Sequence, residues 1–150
     1  MRRKDKEISD RSAIDAIIKR SKVCRLGLID RDKPYIVPLC FGYRDNILYF
    51  HGALNGKKID LIRENPNVCF EFDLITDIIE AENACKWSMK YQSVVGFGRA
   101  FLVESSDEKI KGLSIIMSQY SDRTYEFPDD KLRATAVFKV EIDGITGKQS

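Results

Sequence analysis

Short segments of apolar residues, bounded by turn-forming residues, predict that most of this chain is β-strand. Two of these segments are separated by only three polar residues, 44–46, which predicts a hairpin. The predicted strands cover residues 23–29, 35–43, 47–50, 68–75, 93–104 and 134–142. They follow one another as a meander with inserted helices. This order favours an antiparallel barrel with peripheral helices over a doubly wound parallel sheet.

Three segments with helical spacing interrupt the strands. The first starts near Ser12, a predicted cap with Asp15 three residues later. The second begins near Asn55 and stops at the pair 65–66, Asn-Pro. The third follows the capping run 105–107. Its predicted apolar side comprises Ile110, Leu113, Ile116, Met117 and Tyr120. The chain is therefore expected to form one mainly β domain over 1–150, with a flexible segment 1–11.

Composition narrows the functional classes. The chain has 150 residues, about one domain, and 25 basic against 23 acidic residues give a net charge of +2. This balance argues against a nucleic-acid-binding surface, which usually carries a basic excess. The longest apolar runs, 47–50 and 94–97, are far shorter than a membrane span. The charged N-terminus lacks an apolar segment behind it, so no signal peptide is expected and the predicted location is cytoplasmic.

The four cysteines show no metal-binding spacing. Cys24, Cys40, Cys69 and Cys85 form no C-x-x-C pair, and the single histidine, His51, is not spaced with them as a zinc ligand. Three of the four lie in predicted strands. We therefore expect packing roles in a reducing compartment and no metal site.

The run from Gly52 to Lys58 is the first candidate for ligand chemistry. Lys57 and Lys58 lie in the first turn of the second predicted helix, where the helix dipole disfavours cations. A bound anion would remove this conflict, because backbone N–H groups and ammonium groups could share one phosphate or carboxylate. Gly52 and Gly56 would allow a close approach. The alternative is that both lysines simply extend into water, and the sequence leaves both interpretations open.

Two further features also allow two interpretations each. In the strand 93–104, alternation places Gly96, Gly98 and Ala100 on one face, which could leave space for a ligand, another backbone or a partner subunit, or could relieve crowding in a bent strand. The two interpretations do not exclude each other. His51 directly follows a predicted strand and could donate a proton or a hydrogen bond, or be structural. Since no nucleophile or acid pair lies in a recognisable motif, a cofactor would have to supply any chemistry.

Several motifs together resemble the pyridoxamine-phosphate-oxidase-like flavoproteins, and within them the nitroimidazole-resistance (Nim) branch. The motifs occupy residues 34–39, 47–53, 56–58, 65–66, 87–98 and 145–148. The resemblance extends from about residue 12 to residue 148. It implies an antiparallel split β-barrel of Greek-key type that forms a homodimer and binds FMN at the subunit interface.

The resemblance also implies roles for particular residues. Along the isoalloxazine ring it places Val37, Pro38, Leu39 and Cys40. In an adjoining turn it places Phe50, His51, Gly52 and Ala53. Lys57 and Lys58 would hold the FMN phosphate, while Ser93 and Gln92 would contact the flavin. The resemblance also implies that the pocket or the partner subunit is bordered by Trp87, Met89 and Tyr91.

The implied function is an FMN-dependent oxidoreductase of nitroimidazole-reductase type, acting on a small electron-poor substrate with His51 as the catalytic residue. The C-terminal extension that carries the substrate-phosphate site in the namesake enzymes is not present in this sequence, so pyridoxamine-phosphate oxidation is not expected. Two alternatives remain: a non-catalytic protein that binds or senses haem or a flavin on the same barrel, and an assembly module whose glycine-rich strand packs a dimer interface.

Overall fold

Eight strands and four α-helices contain most of residues 3–150, the part of the chain that the computed structural model describes. The strands are β1 (Glu7–Ile8), β2 (Cys24–Asp30), β3 (Lys33–Leu39), β4 (Gly42–Arg44), β5 (Ile47–Ala53), β6 (Asn67–Ile79), β7 (Ser88–Val103) and β8 (Thr135–Gln149). The helices are α1 (Arg11–Arg20), α2 (Lys57–Glu64), α3 (Ser106–Ser118) and α4 (Asp129–Ala134). Lys4–Lys6 and Ala84–Lys86 form short 3-10 helices.

The strands form one antiparallel sheet in the order β3-β2-β6-β7-β8-β5-β4, with β1 paired to β8. Because β3 and β4 do not pair with each other, the sheet curls without closing. This is the antiparallel split barrel with peripheral helices that the sequence predicts. The hairpin between β4 and β5 is also confirmed: its turn residues, Asp45 and Asn46, both have positive φ, as a two-residue hairpin turn requires.

The predicted strand 35–43 is in fact two strands, β3 and β4. Between them Phe41 is fully buried, and its backbone N–H donates to the Tyr120 hydroxyl at 2.9 Å instead of to a neighbouring strand. Other strands are longer than predicted. β6 continues to Ile79, β7 starts at Ser88, and β8 runs through the predicted tail to Gln149. The segment 1–11, predicted to be flexible, contains β1, while Met1 and Arg2 lie outside the described residues.

Helix caps differ from the predictions in two cases. Asp10, not Ser12, caps α1: its carboxylate accepts from the backbone N–H of Ala13 at 3.0 Å, and the Ser12 hydroxyl donates to that carboxylate. At α2 the cap position is Gly56, not Asn55. The Ser105 cap of α3 is confirmed.

The predicted apolar side of α3 is only partly correct. Its buried residues are Gly112, Ile115 and Ile116, whereas Ile110 and Tyr120 are exposed. The reason is the close approach of α3 to the sheet at Gly112, where a Cβ would lie 3.1 Å from the Tyr49 ring. Gly112 therefore lies at the centre of the buried face of α3, and a search for large apolar residues could not identify that face.

Aromatic side chains fill the inside of the barrel. Phe50 and Phe138 stack with their centroids 5.0 Å apart, and Phe41 packs on Phe72 at 4.8 Å. Cys24 is also buried here, as expected, but Cys40 and Cys85 are exposed. The expectation that the cysteines are buried packing residues is thus wrong for these two. Cys40 lies beyond the end of β3, and Cys85 lies in a 3-10 helix.

The small-residue face of β7 points into this core. A Cβ on Gly96 would overlap the Phe70 ring, and one on Gly98 would overlap the carbonyl oxygen of Glu141. Ala100 is buried beside them. The glycines therefore allow the β8 backbone and the Phe70 ring to approach β7 closely, as the close-backbone and crowding interpretations both predict, and no ligand-sized space remains on this face. Among residues 3–150 there is no helix of the length and apolar character needed to span a bilayer.

Candidate functional site

Six of the predicted site residues surround one surface groove. It has a volume of about 370 Å³ and lies between β3 and the start of α2. The six residues are Val37, Pro38 and Leu39 from β3, Ala53 from the end of β5, and Lys57 and Lys58 from α2. The pattern of apolar and polar residues could not show that these six residues line one groove, because residues 37 and 58 are brought to it by the curl of the sheet.

The start of α2 is arranged as the sequence predicts. Lys57 and Lys58 are its first two residues, and no side chain caps this end. Gly56, at φ 133°, accepts from the backbone N–H groups of Ile59 and Asp60 at 2.9 and 3.2 Å. The N–H groups of Lys57 and Lys58 precede these first helical hydrogen bonds, so they contribute to the positive end of the helix. This end faces the groove with backbone donors and two cations.

Lys57 already has an acidic partner. Its Nζ lies 2.6 Å from Oδ2 of Asp30, the last residue of β2, and 4.8 Å from the centroid of the Tyr35 ring. Both members of the ion pair are partly exposed. This pairing satisfies the cation within the chain, so the interpretation that the lysine merely extends into water does not hold for Lys57.

Lys58 is in a different situation. Its Nζ lies 5.5 Å from the Phe138 ring centroid and 3.0 Å from the position that a Cβ on Gly52 would take. The side chain is half-buried, and burial lowers the pKa of Lys58. Within residues 3–150 no carboxylate lies within 4 Å of this amine. A desolvated cation without a counter-charge is costly, so Lys58 is the strongest indication of an anion site in the groove.

His51 lies on β5 opposite Val137 of β8. Partial burial, and then the positive charge of Lys58, lower the pKa of His51 below its usual value of 6.5. Both effects favour the neutral imidazole, which can donate one hydrogen bond and accept another. An anion bound at Lys58 would offset that positive charge and favour proton uptake by His51.

Of the other predicted residues, Gly52 and His51 lie beside Lys58, whereas Phe50, Gln92 and Ser93 do not line the groove. Phe50 is fully buried against Phe138, and residues 50–53 continue strand β5, so the predicted turn there is wrong. Gln92 accepts a hydrogen bond from Arg20 at 3.2 Å, and Ser93 pairs with neighbours on β6 and β8. Within one chain, neither Gln92 nor Ser93 lines the groove.

A second, apolar groove of about 610 Å³ lies on the outer face of β2, β3, β6 and β7. Its lining includes Ile36 and Phe97, whose exposed fractions are 65% and 61%. The sequence analysis missed it. The available signal was that Ile36 and Phe97 alternate with core-facing residues, so these strands carry large apolar side chains on both faces.

The ends of β6 and β7 also expose apolar surface. Residues 74–91, here called the β6–β7 arm, extend beyond the barrel, and no third strand pairs with them within residues 3–150. Ile75, Ile78 and Trp87 are exposed by 62%, 55% and 51%. Exposed apolar side chains grouped on one surface are typical of a contact surface.

Solved structures with this fold include flavin-associated proteins. The chain is 34% identical, with a TM-score of 0.87, to a protein from Bacteroides thetaiotaomicron described as a candidate 5-nitroimidazole antibiotic resistance protein, covering 95% of this chain and 86% of that one. The flavocytochrome Anf3 from Azotobacter vinelandii is 21% identical, with a TM-score of 0.87, over 100% of this chain and 72% of its own. The FAD and heme binding protein from Mycobacterium smegmatis is 18% identical, with a TM-score of 0.88, over 97% and 73%. At these lower identities the likeness shows the fold alone.

Comparison of the sequence with known proteins identifies the family. An uncharacterized protein of Rhizobium meliloti (strain 1021) is 31% identical over 64 residues, which span 43% of this chain and only 42% of that relative. The profile of the family described as pyridoxamine 5'-phosphate oxidase matches residues 10–149, nearly the whole chain and all of the groove. The chain therefore belongs to the pyridoxamine 5'-phosphate oxidase family.

Proposed function

We propose that this protein binds FMN and is an oxidoreductase of nitroimidazole-reductase type. The observation that carries the proposal is the half-buried Lys58 ammonium, which has no acidic partner within residues 3–150 and lies beside an uncapped helix start. The phosphate of FMN is an anion of the charge and size that such an end binds. The name of the 34% identical relative supports a nitroimidazole-type substrate.

The chain's own residues would divide the work as follows. Lys58 and the first N–H groups of α2 hold the phosphate, and Lys57 assists. Residues 37–40, at and just beyond the end of β3, would lie along the ring system and offer mainly backbone groups. A bound flavin would supply the hydride chemistry, which the side chains of this chain do not offer. His51 orients or protonates the substrate from the end of β5.

We further propose that the protein acts as a homodimer, with FMN between the subunits. The apolar outer groove and the β6–β7 arm both need a partner surface, and Gln92 and Ser93 reach the flavin only if a second copy supplies them. The charges at this groove do not select the partner, because Glu71 already pairs with Arg25 at 3.1 Å and Asp32 lies between Arg31 and Lys33. The apolar lining therefore carries the proposal of self-association.

His51→Ala is expected to retain bound FMN, because the imidazole does not line the phosphate groove, and to lose nitro-reductase turnover. The comparison is steady-state reduction of a nitroimidazole at saturating reductant, with the flavin content of each variant measured by absorbance. Wild-type turnover in His51→Ala would show that the histidine is structural. Wild-type protein that holds FMN but reduces no nitro compound would favour the non-catalytic binding alternative.

Phe97→Glu should convert the dimer into a monomer and reduce FMN retention, because a charge in the centre of the apolar outer groove opposes its burial. Ile110→Glu is the matched control, since Ile110 is also exposed but lies on α3. Mass in solution at micromolar concentration provides the readout. A Phe97→Glu protein that stays dimeric, or a wild-type monomer with FMN bound, contradicts this assignment of the interface.

A further inference from the structure

The two lysines at the start of α2 differ in one respect that sequence does not reveal. Lys57 forms an ion pair with Asp30 at 2.6 Å, whereas Lys58 has no acidic partner within residues 3–150. Asp30 ends β2 and Lys57 begins α2, so the fold brings together two residues that are 27 positions apart. This inference rests on the FMN binding proposed above. If FMN binds in the groove, its phosphate must either share the Lys57 ammonium with the Asp30 carboxylate or displace that carboxylate from it.

Competition follows from the charges. The Lys57 ammonium carries one positive charge, which the Asp30 carboxylate already offsets, whereas a phosphate monoester carries nearly two negative charges. A phosphate held by both lysines would also lie near the negative Asp30. Both effects oppose phosphate binding. The ion pair is exchangeable, because the side chains of Lys57 and Asp30 are 52% and 31% exposed, and exposed pairs contribute little net stability.

Asp30 has no other cationic partner among the described residues that would hold its carboxylate away from the groove. The Tyr35 ring also lines the groove, and its centroid lies 4.8 Å from the Lys57 amine. This ring gives the amine a second contact besides Asp30, so the lysine has a partner at the groove edge when the carboxylate is removed.

We propose that Asp30 is a built-in competitor for the cofactor phosphate. It occupies Lys57 when the groove is empty and lowers the affinity for phosphorylated flavin. Asp30 thereby reduces the preference for FMN over riboflavin below the value that two free lysines would give. In this arrangement Lys58 provides most of the phosphate affinity, and Asp30 limits how much Lys57 adds.

Asp30→Asn tests this directly, with Asp122→Asn as the matched control. Asp122 is exposed in the loop after α3, has no ion pair within residues 3–150, lines neither the lysine groove nor the apolar outer groove, and gives the same change in net charge. Flavin fluorescence titrations would measure the Kd of FMN and of riboflavin for each purified variant. We expect Asp30→Asn to bind FMN about 3- to 10-fold more tightly, with riboflavin changed less than about twofold. Asp122→Asn should leave both within about twofold of wild type.

A double-mutant cycle locates the effect. In a Lys57→Ala background, Asp30→Asn should tighten FMN binding clearly less than it does with Lys57 present, because only the repulsion between Asp30 and the phosphate is then removed. Equal tightening in both backgrounds, unchanged FMN affinity in Asp30→Asn, or weaker affinity, as a positioning role predicts, would each overturn the proposal. Thermal melts of each variant ensure that affinity is compared between folded proteins.

The outcomes also separate this inference from the proposed function. If Lys58→Met weakens FMN binding but Asp30→Asn does not strengthen it, only the competitor role is overturned. If neither the wild type nor Asp30→Asn binds FMN, both proposals fail. If only Asp30→Asn binds measurably, both are supported.

Discussion

Lys58→Met should bind FMN about 10- to 150-fold more weakly than the wild type. Methionine keeps the length and apolar stem of the lysine over Phe138 and removes only the charge. A hydrogen bond to a charged group contributes about 1.5–3 kcal/mol, which corresponds to this range of Kd. The empty protein should not lose stability, because the variant removes a half-buried cation that has no acidic partner within residues 3–150.

This combination of weaker binding and unchanged stability distinguishes a ligand site from a structural lysine. Lys111→Met is the control for net charge, since Lys111 is exposed on α3. Lys57→Met should have a smaller effect than Lys58→Met, because Asp30 already pairs with Lys57. Isothermal titration with FMN gives affinity, and urea unfolding without flavin gives stability. Equal FMN affinity in Lys58→Met and the wild type would refute the phosphate assignment.

Gly98→Ala should lower the free energy of unfolding by about 2–3 kcal/mol. A Cβ there would overlap the carbonyl oxygen of Glu141 and lie 2.9 Å from Val140 Cγ1. The oxygen belongs to the β8 backbone, so relief requires the β7–β8 pair to move at the irregularity beside Phe97. Overpacking of this kind costs about 1–3 kcal/mol, and backbone contacts lie at the upper end.

Gly144→Ala is the matched control for this substitution. Gly144 lies across from Phe97 in the same pair of strands, its φ is not positive, and nothing lies within 4 Å of its Cβ position. We expect a change of less than about 0.5 kcal/mol in urea unfolding. Similar stabilities for the two alanine variants would mean that the face of Gly96 and Gly98 is not crowded.

Local sequence signals predicted much of the fold and part of the site. The lysines at the start of α2 were visible because cations are unusual in the first turn of a helix, and the structure confirms their position. The β4–β5 hairpin followed from its polar turn. The alternation of apolar and polar residues predicted the central parts of the strands. It could not predict the full lengths of β6 and β7, because both strands extend into exposed residues that do not alternate between a buried and an exposed face.

Contacts between residues far apart in the sequence could not be predicted from local patterns. Nothing near Lys57 indicates that Asp30, at the end of β2, forms its ion pair. Similarly, the crowding at Gly98 comes from the backbone of β8, more than 40 residues later, so the sequence left its two interpretations open. Gln92 and Ser93 do not reach the groove of their own chain. Their predicted flavin contacts depend on a second copy.

A visible absorption spectrum of the purified protein, recorded after addition of FMN and desalting, tests the central claim most directly. We predict a retained flavin spectrum at about one FMN per chain. A colourless protein after the same treatment would contradict FMN binding. The split barrel would stand, but the groove at Lys58 would need another anion.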